Sequence, residues 1–343
     1  MPTISATELE ELAIAAFVQA DVPCDDADLV ARLLVKANLA GHDSHGVVRI
    51  PSYLECISAG RIRPGTTPEI LDDHPSTTRL CGHRNFGQVV LTQAAELACE
   101  KSTHHPLAMV TATEYSHCGQ LGSYAEMISR ENRIGLVLLG KERGAVVPWG
   151  GRDGRLYQNT MALAVPSRQP FPIVLDMATS VAPFGKILIQ RARDEPCPEG
   201  WLVDSEGNPT TDPHLDFNSG EAGMLPLGGD LAGNKGSGLT FLLGILTTVL
   251  SGAGPTREGT VLIAINPTFY MDLDEFLDQV DNYVEYLHQT RTAAGLDQVL
   301  APGERSHRET QRRLREGIFV EENTWDQIQR LMRASAIPPT PDT

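Results

Sequence analysis

The 343-residue chain lacks the sequence signals of several large classes of protein. No apolar run reaches the roughly 18 residues of a membrane span, and the N-terminus has no basic segment followed by an apolar one. Basic residues are in deficit, since 28 Lys and Arg stand against 44 Asp and Glu, and the formal charge of −16 would repel a phosphate backbone. We therefore expect no membrane span, no signal peptide and no nucleic-acid partner.

The six cysteines are scattered, and none belongs to a Cys-x-x-Cys pair. This pattern favours reduced thiols in a cytoplasmic enzyme over a disulfide framework or a zinc site. The pairs His42-x-x-His45 and His104-His105 lack the helical spacing and the third ligand of a catalytic metal centre. No metal is predicted.

Two nucleotide-binding signatures are also missing. No predicted strand is followed by Gly-x-Gly-x-x-Gly, so a Rossmann domain is not indicated. The segment Gly228–Lys235 has the glycines of a phosphate loop, but Gly236 stands where a Ser or Thr would bind Mg²⁺. What remains is a glycine-rich segment with a lysine at a helix N-terminus, where backbone N–H groups favour a phosphate. The alternative is a flexible loop with a surface lysine.

Hydrophobic periodicity predicts a helical beginning, an α/β middle and a helical end. Short strands alternate with helices between residues 69 and 269, and a segment rich in Gly, Pro, Asp and Thr runs irregularly from 196 to 229. We expect residues 1–68 and 270–335 to form one helical subdomain and residues 69–269 to form the α/β core. Residues 336–343 are predicted to be a disordered tail.

Two histidines stand beside small residues just ahead of predicted helices. In Ser44-His45-Gly46-x-x-Arg49, an α-helix would place His45 and Arg49 on one face, as a proton donor and a clamp for a substrate carboxylate. His117 precedes a glycine turn into the next helix. On spacing alone, the alternative stays open that Ser44 caps a helix, His45 is a polar first-turn residue and Arg49 is a surface charge.

Five ordered motifs carry a resemblance to a known family. They are Ser44-His45-Gly46-x-x-Arg49 with Tyr53; Ser116-His117 with Gly122-x-Tyr124-Ala125; Leu175-Asp176-Met177-Ala178-Thr179-Ser180; Pro198-Glu199-Gly200-Trp201 with Pro209-Thr210-Thr211-Asp212-Pro213; and Leu225-Pro226-Leu227-Gly228-Gly229 with Lys235-Gly236-x-Gly238-Leu239. Pro302-Gly303-Glu304 fits as well. Over roughly residues 4 to 335, the chain resembles the malate/L-lactate dehydrogenases that are distinct from the Rossmann type, a family with sulfolactate, ureidoglycolate and diketogulonate dehydrogenases and piperideine-2-carboxylate reductases.

The resemblance implies a fold and an activity. The fold would be α/β, with a mixed-sheet, non-Rossmann NAD(P)-binding core and a helical subdomain formed by the two terminal segments. The activity would be an NAD- or NADP-dependent interconversion of a small 2-oxo acid and 2-hydroxy acid, or reduction of a cyclic 2-imino carboxylate. A catalytically altered member acting as a binding or accessory protein is the alternative. The resemblance implies a homodimer or a dimer of dimers, with the helix of residues 53–60 or the 196–229 segment at the contact.

The resemblance also implies site residues. His45, His117 and Lys141 are the candidate proton donors, with His45 the first choice, and Asp176 would assist the histidine. Residues implied at the substrate are Ser44, Arg49, Tyr53 and Arg143. Residues implied at the cofactor are His117, Gly119, Gly122, Asn159, Asp176, Met177, Ala178, Thr179, Ser180, Lys186, Gly228, Gly229, Asn234, Lys235 and Gly236.

Three segments depart from the family pattern. They are Leu139-Gly140-Lys141-Glu142-Arg143, Tyr157-Gln158-Asn159-Thr160 and Asn234-Lys235-Gly236-Ser237-Gly238. These departures leave the particular substrate open and motivate the accessory-protein alternative.

Overall fold

The protein is described from a computed structural model, which covers residues 3–217, 219, 222–254 and 257–335. The strands are β1 Thr3–Ile4, β2 Glu69–Asp73, β3 Thr77–Cys81, β4 Leu107–Thr113, β5 Ile134–Gly140, β6 Thr160–Val165, β7 Ile173–Ala178, β8 Leu202–Val203, β9 Pro209–Thr210, β10 Gly223–Met224, β11 Gly259–Ile265 and β12 Ile318–Phe319. The α-helices are α1 Ala6–Val18, α2 Cys24–Leu39, α3 Ile50–Ser58, α4 Gly87–Lys101, α5 Gly122–Arg130, α6 Phe184–Arg193, α7 Gly229–Gly244, α8 Leu273–His288, α9 Glu304–Glu316 and α10 Glu322–Ser335. The predicted tail, residues 336–343, lies outside the described residues.

A seven-stranded sheet forms the centre of the molecule, in the order β2-β3-β4-β11-β5-β6-β7. Only β3 and β4 pair in parallel, and the other neighbours are antiparallel. Strand β11 comes from late in the chain and inserts between β4 and β5. This arrangement confirms the predicted mixed-sheet α/β fold, since a doubly wound Rossmann sheet is parallel.

Helices cover both faces of this sheet because its central strands are apolar on both sides. On one face, α4 and α5 pack their buried side chains, including Leu91 and Tyr124, against Val110 and Val137. On the other face, Leu243 of α7 packs with side chains of β5 and β11. Because β11 runs antiparallel to both β4 and β5, the chain leaves β4 and β5 at the end of the sheet where β11 begins.

The first and last segments of the chain share a second hydrophobic core. Side chains of α1, α2 and α3 pack there with Ile318, Val320 and Ile328, and β1 pairs with β12. A capping box fixes the start of α1, since Ser5 accepts from the Glu8 N–H while the Glu8 carboxylate accepts from Ser5. The exact boundaries of the helical subdomain and the α/β core stay a prediction.

Two local predictions were wrong. The 196–229 segment is not wholly irregular, because β8, β9 and β10 form a small antiparallel sheet. Strands of two residues are too short to show an alternating pattern in the sequence. The helix predicted from residue 236 begins earlier, at Gly229, bends at Ala232 and ends in π-helical turns over Ile245–Val249.

Candidate functional site

The segment that carries His45 and Arg49 is not an α-helix. Two 3₁₀ turns, Asp43–His45 and Val47–Arg49, are separated by extended backbone at Gly46. A side chain at Gly46 would overlap the buried amide of Asn38, and the Asn38 oxygen accepts the Val47 N–H at 2.9 Å. The shared-helix-face argument was therefore wrong, although both side chains lie in one short segment.

Arg49 is held at one end and left open at the other. Its Nε donates to the carbonyl oxygen of Ser44 at 2.7 Å, and no carboxylate within the described part of the chain forms an ion pair with it. The guanidinium is half-buried. Its two terminal nitrogens can therefore donate together to an incoming carboxylate.

A chain of hydrogen bonds fixes the His117 ring. Gln88 Nε2 donates to the Tyr53 hydroxyl at 2.9 Å, and that hydroxyl lies 2.7 Å from His117 Nδ1. The Gly119 N–H also points at Nδ1, at 3.3 Å. Because a backbone N–H can only donate, Nδ1 is the acceptor and the hydrogen of the neutral imidazole lies on Nε2. Burial raises the pKa of Tyr53, so its hydroxyl stays protonated and can donate.

His45 lies against His117. The two rings are stacked with centroids 5.7 Å apart, and the Ser44 hydroxyl lies 3.0 Å from His45 Nδ1. Burial, followed by the positive charge of Arg49, lowers the pKa of His45 to about 4 and that of His117 to about 3. Without a bound anion beside Arg49, both imidazoles are therefore neutral near pH 7.

A cavity of about 430 Å³ opens above His117, in the size range of roughly 300–1,000 Å³ typical of small-molecule sites. This His117 cavity is lined by Arg61, Arg84, Glu114, Tyr115, His117, Lys141, Arg257 and Glu258. Lys141 Nζ lies 2.9 Å from Glu258 Oε1 and 5.5 Å from the centre of the Tyr157 ring. Arg143, predicted at the substrate, is exposed and does not line this cavity.

A second cavity, of about 470 Å³, lies between the terminal helices and strand β7. This Asp176 cavity is lined by Lys36, Leu39, Ala40, His42, Gln120, Gly122, Glu126, Arg130, Pro172, Val174, Leu175, Asp176, Ala301, Pro302, Gly303, Arg305, Ser306, His307 and Thr310. Asp176 accepts the Gly122 N–H at 2.7 Å, and burial raises its pKa to about 6. The described structure has no hydrogen bond from Asp176 to His45 or His117, so Asp176 does not touch the histidine that it was expected to assist.

The Asp176 cavity offers two polar groups that have no partner among the described residues. The side-chain oxygen of Gln120 is buried without a hydrogen-bond partner, which a ribose hydroxyl or an amide could satisfy. Lys36 and Arg130 both pair with Glu126, whereas Arg305 has no ion-pair partner among the described residues. A phosphate would therefore find an uncommitted guanidinium there.

The other predicted cofactor residues divide into three groups. Asn159, Thr179 and Ser180 are buried and bond the neighbouring chain: Asn159 ties Lys141 N–H to the Thr240 carbonyl, and Thr179 bonds the Asn159 carbonyl. The exposed residues are Lys186, Asn234 and Lys235. Residues with backbone or packing roles are Gly119 (φ 72°), Gly228 (φ 93°), Gly229 (φ 50°), Gly236 against the Leu227 backbone, and Met177 and Ala178 in strand β7.

Sequence reasoning missed Arg84, Tyr115, Arg257 and Glu258 of the His117 cavity and Gln120 and Arg305 of the Asp176 cavity. A signal existed, since Tyr115 lies just after β4, Lys141 just after β5 and Glu258 just before β11. The sequence alone could not reveal this, because only the order of the strands in the sheet shows that the ends of β4 and β5 and the start of β11 lie together. The described residues contain no group of three or more potential metal ligands and no helix long and apolar enough to cross a membrane.

Comparisons with known proteins agree with this geometry. A sequence profile described as malate/L-lactate dehydrogenase matches residues 4–329. The chain is 33% identical to a malate dehydrogenase of Pyrococcus abyssi, covering 96% of this chain and 94% of that one. It is also 33% identical to an L-sulfolactate dehydrogenase of Methanothermobacter thermautotrophicus, covering 91% of each. The crystal structure of a malate dehydrogenase from Entamoeba histolytica superimposes with a TM-score of 0.94 at 26% identity, covering 99% of each chain.

The family match and these relatives define the chain as an oxidoreductase of the 2-oxo/2-hydroxy acid class, since malate and lactate are both 2-hydroxy acids. The chain belongs to the malate/L-lactate dehydrogenase family. The resemblance, the fold and the enzyme class predicted from the sequence are confirmed.

Proposed function

We propose that the protein is an NAD- or NADP-dependent dehydrogenase that acts on a small 2-oxo or 2-hydroxy acid in the His117 cavity. The observation that carries this proposal is the chain from Gln88 through Tyr53 to His117, which aims an imidazole with a fixed tautomer at the cavity. A ring held from Nδ1 presents its Nε2–H to a ligand, as a carbonyl oxygen requires.

The residues divide the work between binding and proton transfer. Arg49 holds the substrate carboxylate, while His117 Nε2–H donates a hydrogen bond to the carbonyl oxygen. Lys141, on the wall of the same cavity, supplies the proton, since a neutral imidazole is a weak acid. His117 takes precedence over His45 in this assignment because His117 lines the cavity. The nicotinamide cofactor, when bound, supplies or accepts the hydride.

Binding of an anion at Arg49 changes the pKa of His45 and His117. A carboxylate on Arg49 offsets the positive charge that, together with burial, lowers the pKa of both rings. The pKa of each imidazole therefore rises when substrate binds. In the direction of alcohol oxidation the same step runs in reverse: the hydroxyl proton passes to Lys141, while His117 keeps its Nε2–H hydrogen bond to the oxygen.

The cofactor is assigned to the Asp176 cavity. Support comes from the unpaired oxygen of Gln120, the free guanidinium of Arg305 and the buried carboxyl of Asp176. The predicted phosphate loop, 228–236, does not line this cavity. It follows Leu227, whose N–H donates to the carbonyl of Thr179, the residue after β7. Preference between NAD and NADP stays open.

Assembly is proposed as a homodimer or a dimer of dimers. The apolar face of α7 and the π-helical turns supports this, since Phe241, Leu242 and Val249 are 56%, 59% and 70% exposed. Exposed apolar patches of this kind commonly mark an interface between copies. This face lies elsewhere than the helix of residues 53–60 and the 196–229 segment that were expected at the contact. A cytoplasmic location and a small anionic substrate as the partner complete the proposal.

Cofactor binding is the direct test. Titration of the purified protein with NADH and with NADPH, followed by nucleotide fluorescence, should show binding in the micromolar range for at least one of them. Gln120→Leu should weaken that binding, whereas the exposed control Gln279→Leu should not. Absence of binding of either nucleotide at high micromolar levels would favour the accessory-protein alternative.

A further inference from the structure

Four cationic side chains and two carboxylates line the His117 cavity, and one of the cations forms no ion pair within the described residues. Lys141 pairs with Glu258, and Arg257 pairs with Glu114. Arg61 pairs with Glu55, which lies outside the cavity. Arg84 has no carboxylate partner among the residues that the structure describes. Within the described residues, Arg84 is thus the cation of this cavity that remains available to an anionic ligand.

The backbone at Arg84, where the chain borders the cavity, adopts a strained conformation. Arg84 and Glu114 both adopt left-handed backbone conformations, with φ of 66° and 56°, and so does the adjoining His83 at 46°. Non-glycine residues rarely adopt this conformation, and such strain concentrates at functional sites. Two of the six left-handed non-glycine residues in the described chain thus line this one cavity, and a third, His83, is the chain neighbour of Arg84.

Glu114 positions both arginines of the cavity wall. Its carbonyl oxygen accepts the Arg84 N–H, at 2.6 Å, while its carboxylate pairs with Arg257. The Arg84 carbonyl in turn accepts the Arg63 N–H at 2.9 Å. The turn is therefore held from both sides, and the Arg84 guanidinium is the part of it that remains uncommitted.

We propose that Arg84 binds a second anionic group of the substrate, so that the preferred substrate is a dianionic 2-oxo or 2-hydroxy acid. This inference rests on the proposed function: Arg49 takes the 1-carboxylate, and Arg84 takes a carboxylate or sulfonate at the far end of the molecule. A monocarboxylate leaves Arg84 without a partner. A protonated cyclic imine would bring a further positive charge toward an unpaired guanidinium and is disfavoured.

Kinetics with matched substrates test the assignment. With its preferred nicotinamide cofactor, the wild type should use oxaloacetate or 3-sulfopyruvate with a kcat/KM at least about tenfold above that for pyruvate or piperideine-2-carboxylate, and the two dianions distinguish carboxylate from sulfonate. Arg84→Gln should lower kcat/KM for the dianion about tenfold to a hundredfold, as expected for a charge-assisted hydrogen bond, and change that for pyruvate less than about threefold. Arg84→Lys should recover part of the loss. The exposed neighbour Arg63→Gln, which removes the same charge outside the cavity, should change neither.

A binding measurement separates this inference from the activity itself. Calorimetric titration of malate and of lactate into the protein, alone and saturated with NADH, involves no turnover because both partners are reduced. Malate should bind at least about tenfold more tightly than lactate, and Arg84→Gln should remove that difference. A wild type that prefers pyruvate or the cyclic imine, or an Arg84→Gln variant that weakens malate and lactate equally, overturns the inference while leaving the dehydrogenase proposal intact. Selective loss of malate binding in an enzyme that turns over no substrate would support the inference and contradict the proposed activity.

Discussion

Two carboxyls line the Asp176 cavity: Glu126 pairs with Lys36 and Arg130, whereas Asp176 has one backbone hydrogen bond. In the His117 cavity both carboxylates pair with cations, and the His117 ring stacks on that of His45. Burial disfavours the charged form in both places. It therefore raises the pKa of Asp176 to about 6 and lowers those of His45 and His117 to about 4 and 3. The comparison teaches that one physical cause moves the pKa of an acid and of a base in opposite directions. Near pH 7 the two imidazoles are therefore neutral, whereas Asp176, with a pKa of about 6, is mostly ionised.

The largest effect is expected at His117, which we propose to bind the reacting oxygen of the substrate. His117→Ala should lower kcat by about 10²–10⁴, because the positioned N–H is lost while Arg49 still binds the carboxylate. His104→Ala, which removes an exposed histidine, should leave kcat unchanged. Steady-state kinetics of both variants check this. A loss smaller than tenfold would show that His117 does not bind the reacting oxygen and would move that role to His45.

Variants of Arg49 test the proposal that this side chain binds the substrate carboxylate beside His117. Arg49→Lys keeps the charge but loses the two-pronged donor, so we expect a higher KM and a lower kcat, together worth about 2–3 kcal/mol in kcat/KM. Initial rates over a range of 2-oxo acid concentrations measure this. If Arg49→Ala leaves kcat/KM nearly unchanged, Arg49 is not the carboxylate clamp.

The ionisable groups of the two regions should change the free energy of unfolding with pH in opposite directions. The raised pKa of Asp176 means that the folded state binds more protons than the unfolded state between about pH 4 and pH 6, so its contribution to stability falls as pH rises through that window. The lowered pKa values of His45 and His117 mean that the unfolded state binds more protons between pH 6.5 and about pH 4 or 3, so stability is lost as pH falls.

The variant Asp176→Asn isolates the first of these terms. The free energy of unfolding of the variant minus that of the wild type should rise by about 2 kcal/mol from pH 4 to pH 7, because the variant has no carboxyl to deprotonate in a buried position. Urea unfolding at the two pH values measures the difference. An equal effect of the substitution at both pH values would show that the Asp176 carboxyl is not shifted.

The smallest effect is expected at Gln88, which acts on His117 only through Tyr53. Gln88 is fully buried and one of its two polar atoms already lacks a partner, so Gln88→Leu should not lower the melting temperature. Loss of its hydrogen bond loosens the Tyr53 hydroxyl, so kcat should fall about threefold to tenfold, with little change in KM. Thermal unfolding and kinetics together check this, and an unchanged kcat would separate the hydrogen-bond chain from catalysis.

The sequence predicted the site best where its residues are close along the chain or belong to an ordered motif. The segments around His45 and His117 do meet, with their rings 5.7 Å apart, and the mixed α/β fold is as expected. The reason first given for pairing His45 with Arg49 was nevertheless wrong, because Gly46 breaks the helix that the spacing assumed.

Residues brought together by strand order could not be found from the sequence. Glu258 meets Lys141 only because β11 inserts beside β5, and Arg84 meets Glu114 only because β3 lies parallel to β4. The family motif around Asp176 likewise gave no sign that this carboxyl faces a different cavity from His117. Long-range pairing of this kind leaves no periodic signal in a single sequence.

The most direct test of the account is a coupled substitution and turnover experiment on the His117 cavity. Oxidation of NADH and of NADPH is followed with a panel of 2-oxo acids and a cyclic imino carboxylate, for the wild type, His117→Ala and His104→Ala, and all three proteins are checked for unchanged folding. The account predicts turnover of at least one 2-oxo acid by the wild type and by His104→Ala, and its loss by about 10²–10⁴ in His117→Ala. Turnover by a folded His117→Ala variant within about tenfold of the wild type, or no turnover of any substrate by a wild type that binds the nucleotide, would contradict it.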